Sequence, residues 1–423
     1  MGILNKGYRE FSLPNGLVVA LQETPTETIA AELRVHSGAL HEREGEEGLA
    51  HFLEHCLVTG GSQKYDPLQA ENILGSFGHT NAYTNIDKTS FVGDFCSEDL
   101  RDWLDYTAEH VLRPRLDAQK VEEERGRILS EISDAKSSPT FKINQEMGSI
   151  FYRGHPKNKF VLGREEVVKS TSTDGLRDFH ASRYFPNNMD LMLVGGLPSN
   201  TEEMIRTYFE SAQTGENTRR EFPRLEPFSS RMVIRRPAPE RVNVDDPDQS
   251  SAQLELIFSG PTETHPDFYA IRAAGYVLGG GMSSRLFKNI GQRKGLYSIN
   301  SFNNGQLNVG EIGVSAQIPS KKIDEVTGAI FRELELMKTE RIPEEVVTRG
   351  RKLLKYNLAK FSESNGGHLA TLRSGLDGKP TPRQEMEGFS IVTPERVLEV
   401  ANKYYPDIQT GNYLLVIRDP LMN

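Results

Sequence analysis

Gly48-Leu49-Ala50-His51-Phe52-Leu53-Glu54-His55 has the form H-x-x-E-H on a segment that reads as helix. At 3.6 residues per turn, positions i, i+3 and i+4 share one face, so two imidazoles and one carboxylate point to the same spot. Such a set suits a catalytic zinc ion: two histidine nitrogens for the metal and a carboxylate beside its water. The order inverts the more familiar H-E-x-x-H pattern. In a chain of 423 residues with 10 His and 59 acidic residues, roughly 0.03 such patterns arise by chance. The alternative is a helix bearing two solvated or capped histidines.

A zinc site that keeps a position open for water needs a third protein ligand. Val121 to Asp134 reads as a charged, amphipathic helix with Glu124 and Glu131 two turns apart on one face. Ile128 and Leu129 lie between them and anchor such a helix in a core. Glu131 follows His55 by 131 − 55 = 76 residues. An H-x-x-E-H motif followed at that distance by a glutamate, with another glutamate seven residues before it, resembles the pitrilysin/insulinase family of zinc metallopeptidases. That family includes mitochondrial processing peptidase beta-type subunits and many bacterial peptidases of about this length. The resemblance covers nearly the whole chain. It implies one Zn2+ per chain held by His51, His55 and Glu131, with Glu54 as general base and Glu124 as the carboxylate that orients the site. For Glu124 the competing reading is a solvated helix charge.

Composition fits an ordinary enzyme. The chain is long enough for two domains with full cores. It has no run of 18 apolar residues, so no membrane span is expected. Met1-Gly2-Ile3-Leu4-Asn5-Lys6-Gly7 lacks the apolar core of a signal peptide, and Lys6 stands where myristoylation wants Ser or Thr. The expected compartment is the cytoplasm. Two cysteines, Cys56 and Cys96, give no disulfide framework, and Cys56 reads as a small buried hydrophobe rather than a fourth ligand. A net charge of −9 without a basic aromatic patch argues against a nucleic-acid partner.

The chain reads as an internal duplication. Ser182-Arg183-Tyr184-Phe185-Pro186 resembles Asn402-Lys403-Tyr404-Tyr405-Pro406, an offset of 402 − 182 = 220. Val35-His36-Ser37-Gly38 resembles Ile257-Phe258-Ser259-Gly260, an offset of 222. The expected division is a zinc-bearing domain over 1–215, a linker over 216–230 and a homologous zinc-free domain over 231–423. Aligning Gly60-Gly61 with Gly279-Gly280 sets Ala270, Ala273 and Ala274 opposite the three motif positions. The second domain then binds no zinc.

Phe11 to Val19 reads as strand, tight turn, strand, and Ile29 to Val35 as a further strand. Helices are expected over Asp99–Leu112, Asp117–Ser133 and Ser172–Tyr184, and apolar strands over Leu191–Val194 and Leu414–Ile417. Strands and helices come in clusters, which favours α+β over a doubly wound sheet. The family resemblance implies the same class: two duplicated domains, each a largely antiparallel sheet with helices packed on one face.

Gly78 to Thr84 resembles the family segment that forms an edge strand beside the metal, where an extended peptide finds free N–H and C=O groups. Asn81 and Ala82 are the residues placed against the substrate backbone, and Phe52 is a candidate for the pocket beyond the scissile bond, with a plain core role as the equal alternative. His79 reads as a surface strand histidine. Gly279 to Phe287 resembles the family's glycine-rich segment, which precedes an Arg and, seven residues later, a Tyr that help hold substrate. Here Tyr297 fits only with one deletion, position 290 is Ile, and Arg293 lies four residues back. The glycines themselves read as a helix-ending turn. Family members of this length enclose substrate between two chains. The implied partners are a peptide substrate and a second chain, either another copy or a zinc-free homologue carrying the Arg/Tyr pair. The expected activity is that of a zinc metalloendopeptidase acting on peptides or short unfolded segments. The alternative is a non-catalytic structural subunit of the same fold, like the core proteins of respiratory complex III, which has no need of His51, Glu54, His55 and Glu131 together.

Overall fold

In the computed structural model, which describes residues 7–215, 223–238, 251–296, 298–361 and 363–422, the strands form two sheets. The first contains β1 (Tyr8–Ser12), β2 (Val18–Glu23), β3 (Thr28–Val35), β4 (His79–Thr84), β5 (Thr89–Cys96) and β6 (Met189–Gly195). The second contains β7 (Arg231–Pro237), β8 (Ser251–Ser259), β9 (Ser298–Asn304), β10 (Glu311–Pro319) and β11 (Tyr413–Asp419). The spatial order is β1-β2-β6-β3-β5-β4 in one and β7-β11-β8-β10-β9 in the other. Without β1 the two paths are identical. Each has one parallel pair, β2 with β6 and β7 with β11, and antiparallel neighbours elsewhere. The fold is therefore α+β and duplicated.

The β3–β8 equivalence is one residue out of the offset of 222. Val35 faces the main helical layer of its unit, whereas Ile257 faces the opposite side and Phe258 faces inward. Side chains alternate along a strand, so a slip of one residue reverses every one of them. The inward residues match at 258 − 35 = 223.

The chain forms two compact units. One comprises Met1–Lys136, Lys159–Glu221 and Phe361–Asp377, the other Ser137–Asn158, Phe222–Lys360 and Gly378–Asn423. In the first unit Ile29, Ala31, Leu33 and Val35 of β3 pack beneath helices Leu49–Thr59, Leu100–Leu112, Ala118–Ser137 and Thr173–Ala181. The expected helices are present, with Ala118–Ser137 running four residues beyond Ser133 and Thr173–Ala181 stopping three short of Tyr184. Ser172 caps the latter by accepting from the Gly175 amide.

A further helix covers the other face of each sheet. In the first unit it is Asn365–Leu376, whose Leu369 and Leu372 pack on Ala20, Ala30, Met192 and Val194. In the second it is Pro139–Phe151, whose Ile143, Met147 and Phe151 pack on Ile257, Leu414 and Val416. Each unit thus takes this helix from the half of the sequence that supplies the other sheet. Burying one such leucine stabilises by about 1.5–3 kcal/mol. Among the described residues no helix is long and apolar enough to cross a membrane.

Candidate metal centre

Helix Leu49–Thr59 begins at a tight crossing. Gly48 is left-handed, with φ of 102°, and a Cβ there would lie 2.8 Å from the Leu162 carbonyl oxygen. Only glycine fits that approach. The buried Glu42 carboxylate accepts from the Ala50 amide at 3.0 Å, satisfying one of the unpaired donors at the helix start. Burial pushes the Glu42 pKa up to about 7, against the lowering effect of the Ala50 and Gly48 amides.

One face of this helix carries His51, Glu54 and His55. Helix Ala118–Ser137 lies opposite, anchored by the buried Val121, Ile128 and Ile132, and brings in Glu131. The Oε2 of Glu131 lies 3.7 Å from His51 Nε2 and 3.8 Å from His55 Nε2. The three ligand atoms lie within 4.8 Å of one another. Tetrahedral zinc bonds of about 2.0–2.1 Å require ligand atoms roughly 3.3–3.5 Å apart, and both glutamate–histidine distances lie within a few tenths of an ångström of that. The donor chemistry fits zinc: two imidazoles and one carboxylate, with no sulfur, since Cys56 is buried in the core.

The supporting shell completes that fit. Glu124 is almost fully buried and its Oε2 lies 3.2 Å from His55 Nδ1, which turns Nε2 toward Glu131. The other oxygen of Glu124 accepts from Thr59 Oγ1 at 2.8 Å and Arg127 Nη1 at 2.6 Å. Burial alone would raise the Glu124 pKa, but His55, Thr59 and Arg127 together hold it below the usual carboxylate range. Burial, with the neighbouring His55 charge, pushes His51 down to about 4. That keeps its imidazole neutral, the form that ligates. For His55 burial also acts downward, and the hydrogen bond to Glu124 with the charges of Glu131 and Glu54 outweighs it, so its pKa is raised. Glu54 is buried, which raises its pKa, and its Oε2 accepts from Thr84 Oγ1 at 2.8 Å.

A cavity of about 650 Å³ runs from these residues along β4. Thr80, Asn81, Ala82, Tyr83 and Thr84 form one wall, and Leu57, Val58, Leu74, Phe91, Trp103 and Tyr106 form an apolar floor. Among the described residues β4 is the terminal strand of its sheet and pairs with β5 alone. Asn81 Oδ1 accepts from the Ala82 amide at 2.9 Å. His79 is exposed on the strand.

Phe52 does not reach the cavity. It is fully buried in the core beneath the Arg125 guanidinium, 5.2 Å from its ring centroid. One residue turns a helix by about 100°, which carries Phe52 off the His51 face. Tyr297 lies outside the described residues, and Arg293 is exposed. In the second unit, helix Phe268–Gly279 follows β8 as the metal helix follows β3, with buried Ala270 and Ala274 and partly buried Ala273 in the motif positions. The glycines after it end the helix, with Gly280 as its cap and Gly281 at φ of +97°.

Sequence reading missed Thr84, Thr59, Arg127 and Glu42. Thr59 stands four residues after His55 and Arg127 three after Glu124, so helical spacing alone marks both. Thr84 and Glu42 are joined to the site only by the fold and carry no local signal.

Comparison with known proteins follows the same division. Residues 18–165 match the family model described as Insulinase (Peptidase family M16), and residues 170–354 match the one described as Peptidase M16 inactive domain. The residues around the proposed ligands all fall in the first match. An "Uncharacterized zinc protease" of Bacillus subtilis is 25% identical, covering 98% of this chain and 99% of its own. A "Probable mitochondrial-processing peptidase subunit beta" of Arabidopsis thaliana is 25% identical, covering 94% of this chain and 76% of its own. The crystal structure of a protease from Helicobacter pylori has the same fold, with a TM-score of 0.83 at 22% identity over 98% of this chain and 99% of that one.

Proposed function

We propose that this chain, which belongs to the insulinase family of peptidases, family M16, is a zinc metalloendopeptidase acting on peptides or short unfolded segments. The observation that carries this reading is the convergence of His51, His55 and Glu131 beside a buried Glu54, at one end of a cavity bounded by an edge strand.

His51, His55 and Glu131 would hold the metal. Zinc there supplies Lewis acidity and lowers the pKa of water toward ~7. Glu54 removes a proton from the attacking water and returns it to the leaving amine. Its burial raises its basicity, and Thr84 fixes its orientation. Glu124 holds the His55 ring through Nδ1. The substrate pairs with the outer edge of β4, where the Asn81 side chain releases the Ala82 amide to a substrate carbonyl. The apolar floor receives side chains on that face of the peptide, so selectivity comes from the floor and not from the backbone pairing.

The reaction takes place between two chains, the second being another copy or a zinc-free homologue with an Arg/Tyr pair. Two facts support this: the Arabidopsis relative is named a subunit, and Arg293 is out of the family's register with Tyr297.

The test is hydrolysis of an internally quenched, unfolded peptide by the zinc-loaded chain, with chelator and Glu54→Gln as controls. Cleavage that both controls abolish supports the reading. Cleavage that survives Glu54→Gln removes Glu54 from the mechanism. A chain that binds zinc and does not cut points to an obligatory partner.

A further inference from the structure

The helix Asn365–Leu376 ends in a turn whose side chains reach the strand beside the metal. Glu32 of β3 is fully buried. Arg373 donates to its Oε2 from Nε at 3.0 Å and from Nη2 at 2.6 Å, and Tyr83 Oη donates to its Oε1 at 3.0 Å. Tyr83 sits in β4 between Ala82, at the substrate edge, and Thr84, which holds Glu54. Four residues on from Arg373, Asp377 pairs with Lys88 at 3.1 Å and with the fully buried Arg34 at 3.0 Å. Lys88 lies in the turn joining β4 to β5, where its carbonyl accepts from the Asn85 amide. One helical turn therefore grips both the strand and the turn of this hairpin.

We propose that this turn is a clamp that sets the position of β4, which makes Arg373 a positioning residue for the peptide substrate. The inference rests on the reading of β4 as the strand the substrate joins. An edge strand has a sheet neighbour on one side only, so its outer groups are braced by whatever its side chains hold. A peptide adding to β4 must bring its backbone into hydrogen-bond register and its scissile carbonyl to the metal ligands at once. Displacement of about 1 Å is enough to spoil such geometry. The tie through a buried carboxylate is directional, and because a buried ion pair adds little net stability, its role in this unit is positional. The second unit ties its edge strand at a different place, through Glu311 of β10. Just beyond helix Pro139–Phe151, Tyr152 and Lys157 hold Glu311, which also accepts from Asn304 of the edge strand β9.

Hydrogen–deuterium exchange over His79–Lys88, measured on the full zinc-loaded chain, tests this together with KM and kcat on a quenched peptide. Arg373→Met should speed exchange in that segment by roughly tenfold and raise KM by about fivefold or more, with one zinc per chain retained. Arg373→Lys, which keeps the charge on Glu32, should stay close to wild type. The double variant Glu32→Gln/Arg373→Met removes the uncompensated charge but not the lost tie, so its KM should remain raised. Unchanged exchange over His79–Lys88 in Arg373→Met overturns the clamp. So does a double variant with wild-type KM, which would reduce the effect to charge burial. If the wild-type chain alone holds zinc and cuts no peptide, the activity requires a partner chain, and the exchange measurement alone decides the clamp.

Discussion

The two units share one strand order and one helix placement, yet their equivalent helices are chemically opposite. Leu49–Thr59 carries His51, Glu54 and His55 on its cavity face, and Phe268–Gly279 carries Ala270, Ala273 and Ala274 there. The pleated faces differ in the same sense. Glu32 and Glu255 occupy matching places on the central strands, 255 − 32 = 223 residues apart. Glu32 is held by Arg373 and Tyr83. Glu255 accepts from Ser315, and burial pushes its pKa up to about 7. The fold therefore tolerates either content at these positions. The first unit's polar set is more than folding requires, which is the mark of a site.

The most severe way to break the contrast is to give the first unit the second unit's residues. The triple substitution His51→Ala/Glu54→Ala/His55→Ala should take bound zinc from one per chain to none and hydrolysis to background, a fall of at least ~10³-fold. Circular dichroism should show the fold retained, since alanine already packs at these places in the second unit. Glu54→Gln alone should keep the zinc and lower kcat by roughly 10²–10⁴-fold, measured at saturating peptide. Glu124→Ala should leave Glu54 in place and weaken zinc affinity by about 10–100-fold, read by competition with a chelating dye.

The smallest effect sharpens the comparison from the other side. Glu255 is protonated more readily in the folded chain than its ordinary value of 4.5 allows. Between that value and about 7 the folded state binds more protons than the unfolded one, so stability falls as pH rises through this window. Glu255→Gln removes that loss. It should raise stability at pH 8 by about 1 kcal/mol and change little at pH 4.5, by thermal or urea unfolding at both pH values.

The meeting of His51, Glu54 and His55 on one helix face was legible because the three lie within five positions, where the helical period alone decides which side chains meet. Glu131 and Glu124 were legible through their own spacing and their distance from the motif. The duplication could be read from short repeated strings, but its register could not. Val35 and Ile257 look alike in sequence, and only the pleat shows that they face opposite ways. The bonds of Thr84 to Glu54 and of Glu42 to the Ala50 amide were silent because a strand-to-helix or loop-to-helix contact leaves no periodic trace. Phe52 stayed open between pocket and core because an aromatic between His51 and Glu54 suits either, and its burial decides for the core. The tie of Arg373 to Glu32 joins residues 341 apart, a pairing that depends on where one helix crosses the sheet.

The central claim is that His51, His55 and Glu131 form the metal site. X-ray absorption at the zinc edge, with metal analysis of the purified chain, tests it most directly. The account predicts one zinc per chain, bound by two imidazoles and oxygen without sulfur, and lost in His55→Ala. A chain that retains no zinc when supplied with it, a sulfur ligand from Cys56, or full zinc occupancy in His55→Ala would contradict it.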